Sequence, residues 1–174
     1  ITSLLREELI EDEGAKIFVY PVKDPERFGV VEFDGDDVIS IEEKPRYPKS
    51  NRALIGLYFY DNKVLEYAKQ VKPSKRNELE ITDLNRIYLE KKQLRVKRLY
   101  RGISWIDAGT FDSLLTASNL IHTLQKVQSY KICCPEEITY RNKWIDSKQL
   151  YDIIKTMPKS EYGKYLDLIY KNKI

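Results

Sequence analysis

Apolar residues alternate with polar ones, or form short unbroken runs, in five separated stretches of the chain. Ala53–Tyr60 is apolar almost throughout, which is typical of a central strand covered on both faces. Gly56 within this run indicates that another group approaches the backbone closely. The pattern therefore predicts β-strands near 16–22, 28–33, 38–43, 53–60 and 94–99.

Apolar residues at helical spacing predict helices that pack on these strands. In one of them, Ile81, Leu84 and Tyr88 form the expected buried stripe. Thr110 is the predicted N-cap of a longer helix, whose apolar stripe extends to Leu124. The predicted helical spans of this part are 2–13, 62–71, 80–91 and 110–124.

Strands interleaved with helices predict the α/β class, here a partial, Rossmann-like mixed sheet with flanking helices. After residue 128 the strand pattern ends, and Pro135 followed by acidic residues marks a helix start. We therefore expect two parts. Residues 1–128 form the sheet-bearing, ligand-binding part, and 129–174 form a helical annex suited to subunit contacts or regulation.

Composition narrows the class of protein. The 174 residues are 42% hydrophobic and 33% charged with a net charge of +3, which favours a packed core and gives no argument for nucleic acid. No long apolar span or signal-peptide pattern predicts a membrane segment. Cys133 and Cys134 form no disulfide framework or zinc motif, so we expect a cytoplasmic protein. Because the chain begins with Ile1 and has no Gly-rich phosphate loop, we expect it to be the latter part of a longer polypeptide.

Asp107 is the first candidate for ligand chemistry. It lies between an aromatic-flanked apolar run and the turn Ala108-Gly109. We expect it at the mouth of a strand-to-helix turn, where α/β proteins bind ligands. A carboxylate there suits Mg²⁺ together with phosphate oxygens. From this stretch alone, a plain turn-forming role for Asp107 is an equal alternative.

Other candidates lie at loops and strand ends. Glu43 suits sugar hydroxyls and Lys44 a phosphate, although a solvated hairpin end is the alternative. Arg76 precedes a predicted helix and suits a phosphate, with a solvated loop arginine as the commoner case. Gly29 permits close backbone approach. His122 stands alone on its predicted helix and is read as structural.

The ordered motifs resemble the C-terminal part of the glucose-1-phosphate thymidylyltransferase family almost from end to end. Many matches in the right order are more specific than any single motif. The motifs are Asp24-Pro-Glu-Arg-Phe-Gly-Val-Val-Glu-Phe-Asp, Ile41-Glu-Glu-Lys-Pro, Pro48-Lys-Ser-Asn, Gly56-Leu-Tyr-Phe-Tyr-Asp, Glu78-Leu-Glu-Ile-Thr-Asp, Trp105-Ile-Asp-Ala-Gly-Thr and Cys134-Pro-Glu-Glu-Ile.

The resemblance implies an enzyme that joins dTTP and glucose 1-phosphate into dTDP-glucose and pyrophosphate with Mg²⁺. It implies that Glu43 and Gly29 face the sugar, that Lys44 and Arg76 bind the sugar phosphate as catalytic cations, and that Trp105 lines the pocket. Asp107 would be one of two metal-binding aspartates. The family also implies a homo-oligomer, a tetramer, and a role in supplying dTDP-sugars such as rhamnose for polysaccharides.

The resemblance also implies a regulatory nucleotide site between subunits, matched in part by Gly102, Glu137, Ile138 and Arg141.

The chain departs from the family pattern in ways that leave alternatives open. The Gly-rich nucleotide loop and the second metal-binding aspartate are not in this sequence, and Asn77, Ala108 and Phe111 replace the usual residues. A non-catalytic, truncated sugar-phosphate-binding or oligomerisation module is therefore the alternative function, and a UTP-using enzyme is a third. We also expect a sheet cut from a larger one to be marginally stable or to self-associate.

Overall fold

The computed structural model describes residues 13–100, 102–157 and 159–173. The chain divides into two compact units, one that extends to Trp105 and one that begins at Ile106. The helix predicted over 2–13 falls almost wholly outside the described residues. The functional boundary predicted after residue 128 stays a prediction.

The first unit contains a five-stranded mixed sheet in the order β3-β2-β4-β1-β5. β5 runs parallel to β1, and the other pairs are antiparallel. All five predicted strands and the α/β class are confirmed. The strands are β1 Ala15–Pro21, β2 Gly29–Asp34, β3 Asp37–Glu43, β4 Arg52–Tyr60 and β5 Leu94–Arg98.

β4 has the predicted central position but is not covered on both faces, because its second half is only partly buried. The close approach predicted at Gly56 is wrong, since a Cβ there would meet no heavy atom within 4 Å. Ile17 pairs with Tyr58 while Val19 pairs with Leu54, so β4 carries a bulge between these pairs. Gly56 lies in the bulge with φ +73°, a conformation that glycine adopts without strain.

Two helices pack on the sheet of the first unit, α1 Val64–Ala68 and α2 Ile81–Glu90, and a short 3₁₀ helix spans Pro25–Arg27. In α2, Leu84 and Tyr88 are buried as predicted, but Ile81 is 40% exposed. Thr82 and Asn85 are fully buried in its place. The helix is thus rotated by about one residue relative to the predicted phase, which brings polar side chains against the sheet.

The core of the first unit follows the two-residue period of β1. Ile17 and Val19 point to one face with Val31, Ile41 and Leu54. Phe18 points to the other face, where it clusters with Leu99. In a third cluster, side chains of both helices pack against the sheet. Its buried members are Ala15, Tyr67, Leu84 and Tyr88.

Arg98 connects the end of β5 to the turn between β2 and β3. Its guanidinium donates to the carbonyl of Gly35 and, over 3.2 Å, to the carboxylate of Asp36. The same group lies 4.1 Å from the centre of the Phe33 ring. The two edges of the sheet are therefore linked by one side chain.

The regular secondary structure in the described residues of the second unit is all helical. Thr110 caps α3, and its hydroxyl accepts from the Ser113 N–H over 3.2 Å, which confirms the predicted helix start. No α3 residue is buried, and Phe111 is 93% exposed. No described helix is both long and apolar enough to cross a membrane. The helices are α3 Phe111–Gln128, α4 Pro135–Arg141, α5 Ser147–Thr156 and α6 Glu161–Tyr170.

The last three helices share their own core. Cys134, at the N-cap of α4, is buried among side chains of α5 and α6. Its thiol lies 3.2 Å from the Tyr162 hydroxyl. The other buried members of this cluster are Leu150, Tyr165, Leu166 and Ile169.

Asp61 joins three parts of the first unit immediately after β4. Its carboxylate accepts from the Gly14 N–H over 2.9 Å, the Tyr88 hydroxyl over 2.8 Å and the Lys63 N–H over 3.0 Å. Burial alone would raise the pKa of Asp61, but these hydrogen bonds outweigh burial and lower its pKa. The ionised carboxylate therefore stabilises the fold.

We predict that Asp61→Asn lowers the free energy of unfolding by about 1–3 kcal/mol at neutral pH, because hydrogen bonds to a charged acceptor are lost. The folded-state pKa is depressed, so wild type keeps this stabilisation above the unfolded pKa of about 4 and loses it as pH falls through the folded value. Urea unfolding, measured from pH 7 to pH 3, should show that the difference in free energy of unfolding between wild type and Asp61→Asn becomes smaller as the pH falls. Asp37→Asn, at an exposed β3 position, is the control, and an equally large loss there would contradict the assignment.

Candidate functional site

The start of β2 and the end of β3 meet at one place, which we call the β2–β3 corner: Gly29, Glu43 and Lys44. Gly29 pairs with Glu43 in the antiparallel ladder. The Lys44 N–H donates to the Phe28 carbonyl over 3.0 Å, one step beyond the ladder. Lys44 has φ +42°, an uncommon conformation for a residue with a side chain, and its side chain is exposed. The strand pairing thus fixes the backbone under three predicted site residues.

Gly29 is buried, and its neighbours leave no room for a side chain. A Cβ at this position would lie 2.8 Å from Leu54 Cδ1, 2.9 Å from Thr82 Oγ1 and 3.1 Å from Glu43 Oε2. Gly29 is not among the residues with positive φ, so the constraint is steric and not torsional. This confirms close approach at Gly29, here by side chains of the protein itself.

Thr82 orients the Glu43 carboxylate. It is fully buried in the first turn of α2, and its hydroxyl donates to Glu43 Oε2. The Glu43 side chain is 22% exposed, so the carboxylate is held from beneath and still reaches solvent. Sequence reasoning missed Thr82, because the predicted phase of α2 placed Ile81 on the buried face.

Arg76 lies in a closed loop before α2. The Ser74 N–H donates to the Glu78 carbonyl over 2.9 Å, and the Asn77 N–H donates to the Ser74 carbonyl over 2.8 Å. Asn77 takes φ +59°, a conformation that asparagine tolerates better than most residues with a side chain.

Three carboxylates surround the Arg76 guanidinium. Glu78 lies 2.7 Å from it, Glu80 3.6 Å and Glu43 4.0 Å. The Glu43 contact brings Arg76 to the β2–β3 corner. The arginine side chain is 42% exposed, so its guanidinium is also open to solvent.

Trp105 approaches the same corner through Phe28. The two rings lie 5.4 Å apart at 71°, an edge-to-face arrangement. Tyr20 lies 6.2 Å from the indole on another side, and its hydroxyl donates to the Ile103 carbonyl over 2.9 Å. These contacts place a half-buried aromatic face beside the residue that precedes Gly29.

Three tyrosines of the first unit, Tyr58, Tyr60 and Tyr88, stack in a row, and Tyr58 is close enough to Glu43 to feel its charge. Tyr58 stacks on Tyr60 at 5.9 Å, and Tyr60 stacks on Tyr88 at 5.5 Å. Burial, and after it the charge of Glu43, raise the pKa of Tyr58, so its hydroxyl stays protonated. The Tyr60 hydroxyl donates to Asn85 over 2.6 Å. Tyr58 is therefore an uncharged neighbour of the Glu43 carboxylate.

The first unit thus brings together five predicted site residues: Gly29, Glu43, Lys44, Arg76 and Trp105. An oriented carboxylate suits hydroxyl groups, and two exposed cations suit a phosphate. Together they can bind a phosphorylated polyol.

Asp107 belongs to the second unit. The strand expected before it is wrong, because no described residue from 102 to 109 is in a strand. Instead, Ile103 packs against the cluster of Phe18 and Leu99. A Cβ at Gly109 would lie 3.1 Å from the Asp107 carboxylate, so that turn folds tightly onto it. Across the described residues, no group of three His, Cys, Asp or Glu side chains is placed to hold a metal ion.

Three of the four predicted regulatory residues share helix α4. The Arg141 guanidinium lies 2.6 Å from the Glu137 carboxylate, which also accepts from the Tyr165 hydroxyl. Ile138 beside them is 46% exposed. Gly102, the fourth, belongs to the first unit and has φ +95°.

Comparison with known proteins gives consistent matches. The sequence profile of the nucleotidyl transferase family matches residues 4–123. The glucose-1-phosphate thymidylyltransferase of Neisseria meningitidis is 51% identical over 166 residues, which cover 95% of this chain and 58% of that protein. The enzyme of that name from Mycobacterium tuberculosis is 47% identical over 173 residues, 98% of this chain and 59% of that protein. The chain therefore spans less than two thirds of the length of these relatives.

Solved structures agree on the fold. A Bacillus anthracis protein, described as a candidate glucose-1-phosphate thymidylyltransferase and crystallised with sucrose, superposes with a TM-score of 0.60 at 46% identity. The match covers 68% of this chain and 47% of that one. A UDP-glucose pyrophosphorylase complexed with UDP-glucose has a TM-score of 0.59 at 24% identity, covering 70% of this chain and 48% of that one, which shows the fold alone.

We predict that Gly29→Ala lowers the free energy of unfolding by about 1–3 kcal/mol, because the new methyl group overlaps Leu54, Thr82 and Glu43. Urea unfolding measures the loss. Gly35→Asn is the control, since Gly35 has φ +59° in open space and asparagine tolerates that conformation. Equal stability of Gly29→Ala and wild type would contradict this prediction, because it would show that the atoms around Gly29 can move apart to accommodate a methyl group.

Proposed function

The chain belongs to the nucleotidyl transferase family, and we propose that it supplies the sugar-phosphate side of a glucose-1-phosphate thymidylyltransferase. In the proposed reaction, a phosphate oxygen of glucose 1-phosphate attacks the α-phosphorus of dTTP. The bond from that phosphorus to the bridging oxygen of the β-phosphate breaks, and pyrophosphate leaves with its electron pair. The products are dTDP-glucose and pyrophosphate.

One observation carries the proposal: residues 29, 43, 76 and 105, far apart in sequence, lie at or next to the β2–β3 corner with complementary chemistry. Glu43 is fixed by Thr82 and by its ladder pairing with Gly29. Arg76 places a cation 4.0 Å from the Glu43 carboxylate, and Lys44, the next residue in the chain, is exposed. The names and identities of the relatives add the sugar and the nucleotide to this picture.

The proposed roles are those that the family resemblance implies, and the chemistry of each side chain suits its role. Glu43 accepts hydrogen bonds from sugar hydroxyls, and its position selects for a polyol. Lys44 and Arg76 neutralise the phosphate, so they act as the catalytic cations of this side of the reaction. Trp105 packs its ring against the sugar, and Gly29 takes part through its backbone, since Leu54, Thr82 and Glu43 fill the space at its Cβ position.

Asp107 would bind the divalent metal ion that this reaction requires. Mg²⁺ is usually bound by one or two carboxylates, with phosphate oxygens and water as its other ligands, so a single half-buried carboxylate fits one place in its shell. The ion would offset the charge of the triphosphate. Asp107→Asn in the active enzyme should therefore lower turnover.

We further propose that Glu137, Ile138 and Arg141 take part in a regulatory nucleotide site, with Gly102 as a fourth contributor. The ion pair of Arg141 with Glu137 keeps the guanidinium on the exposed side of α4 next to Ile138. A homo-oligomer, a tetramer, and a cytoplasmic location remain predictions of the family resemblance.

Binding of glucose 1-phosphate tests the site directly. We expect calorimetric titration to give an affinity at least about tenfold weaker for Lys44→Ala or Arg76→Ala, because each loses a charge-assisted contact with the phosphate. Lys69→Ala, an exposed lysine at the end of α1, is the control and should bind like wild type. Binding that is unchanged in both site variants would contradict the assignment.

A pyrophosphate-release assay with dTTP, glucose 1-phosphate and Mg²⁺ tests the reaction. We expect activity from the chain combined with the remaining portion of a thymidylyltransferase, supplied as a separate polypeptide, and its loss with Asp107→Asn. Sugar-phosphate binding without activity in any combination would favour the alternative, a non-catalytic binding module. This alternative is motivated by the Gly-rich nucleotide loop of the family, which this sequence does not contain.

A further inference from the structure

Arg76 carries an unusual charge environment for a phosphate-binding residue. Three carboxylates lie within 4.0 Å of its guanidinium, and the shortest distance, 2.7 Å, is to Glu78. Glu43 and Glu80 are largely buried at 22% and 11% side-chain exposure, whereas Glu78 is 54% exposed. Glu78 is therefore the member of the set that can move into solvent.

The loop that contains this pair has a defined shape. The Ser74 hydroxyl accepts from the Arg76 N–H over 3.2 Å and donates to the Glu80 carboxylate over 2.9 Å. The Ser74 N–H donates to the Glu78 carbonyl, and Asn77 turns the chain between the two charged residues. The backbone of this loop thus places Arg76 and Glu78 side by side.

We propose that Glu78 is an affinity-determining residue that competes with the sugar phosphate for Arg76. A Glu78 carboxylate oxygen lies 2.7 Å from a terminal nitrogen of the guanidinium, and a phosphate oxygen cannot occupy the same position. The phosphate must displace the Glu78 carboxylate, which then turns toward solvent. This inference rests on the proposed function, since it assumes that Arg76 binds the phosphate.

The proposal has a directional consequence. Removal of the competitor strengthens phosphate binding, whereas damage to a structural contact weakens it. Both side chains of the Arg76–Glu78 pair are exposed, so the pair has the strength of a surface ion pair. Loss of such a pair corresponds to about a two- to fivefold change in the affinity for the phosphate. A gain of this size cannot be produced by partial unfolding.

Two substitutions separate the contact from the charge. Glu78→Asp keeps the negative charge but withdraws the carboxylate by about 1.5 Å, the length of one carbon–carbon bond. Glu78→Gln keeps the length but removes the charge. If Glu78 competes through its contact with Arg76, both variants bind glucose 1-phosphate about two- to fivefold more tightly than wild type, measured by calorimetric titration of the intact chain.

A matched control and a double variant complete the test. Glu66→Gln removes a charge from an exposed position on α1 and should leave the affinity unchanged. In an Arg76→Ala background, Glu78→Asp should give no gain, because the residue for which it competes is gone. Tightening by Glu78→Gln with no change in Glu78→Asp would overturn the proposal in favour of a through-space charge effect.

The outcomes distinguish the two proposals. If wild type binds glucose 1-phosphate and Arg76→Ala weakens that binding, but neither Glu78 variant tightens it, only the competition is overturned. If no variant binds glucose 1-phosphate, the proposed function and the competition fail together. If both Glu78 variants tighten binding when Arg76 is present, but the gain is lost when Arg76 is replaced by alanine, Glu78 sets the affinity of the site.

Discussion

The pairing of Gly29 with Glu43 is the constraint on which the site depends. Because position 29 has no side chain, Leu54, Thr82 and the Glu43 carboxylate occupy the space around it. β2, β4 and α2 all meet around that space, through Gly29, Leu54 and Thr82. The sheet and the helix therefore share one close contact, and the orientation of the Glu43 carboxylate follows from it.

The site combines one rigid side with one adaptable side. Glu43 is fixed by a strand ladder and by a fully buried hydroxyl, and Trp105 is positioned by two aromatic rings. Lys44 and Arg76, by contrast, are exposed and end in flexible side chains. In the proposed site, a rigid carboxylate with an aromatic face would discriminate the shape of a ligand, while flexible cations would follow a phosphate through changes in its geometry and charge.

The strands could be predicted from the sequence because alternation and apolar runs are local signals. The phase of α2 could not be predicted from the sequence, because its pattern allows either Ile81 or Thr82 to face the sheet. Which of the two is buried depends on the side chains against which the helix packs. Gly56 shows a second limit, because glycine marks either a close approach or a positive φ and the sequence does not distinguish them. The strand expected before Asp107 fails because Ile103 and Trp105 pack through their side chains instead of pairing their backbone. The grouping of residues 29, 43 and 76 came from resemblance and not from spacing, since loops of unknown path separate them.

The parallel pairing of β5 with β1 has a consequence for the order of folding. Ala15 pairs with Leu94, so the sheet closes over 78 residues of intervening chain. Contacts of such separation form late, after local elements have paid the entropy of their own ordering, whereas the β2–β3 hairpin can form at once. On a ribosome, the corner with Glu43 and Lys44 would take shape while β5 was still being synthesised. Trp105, which follows β5, would be the last part of the pocket to arrive.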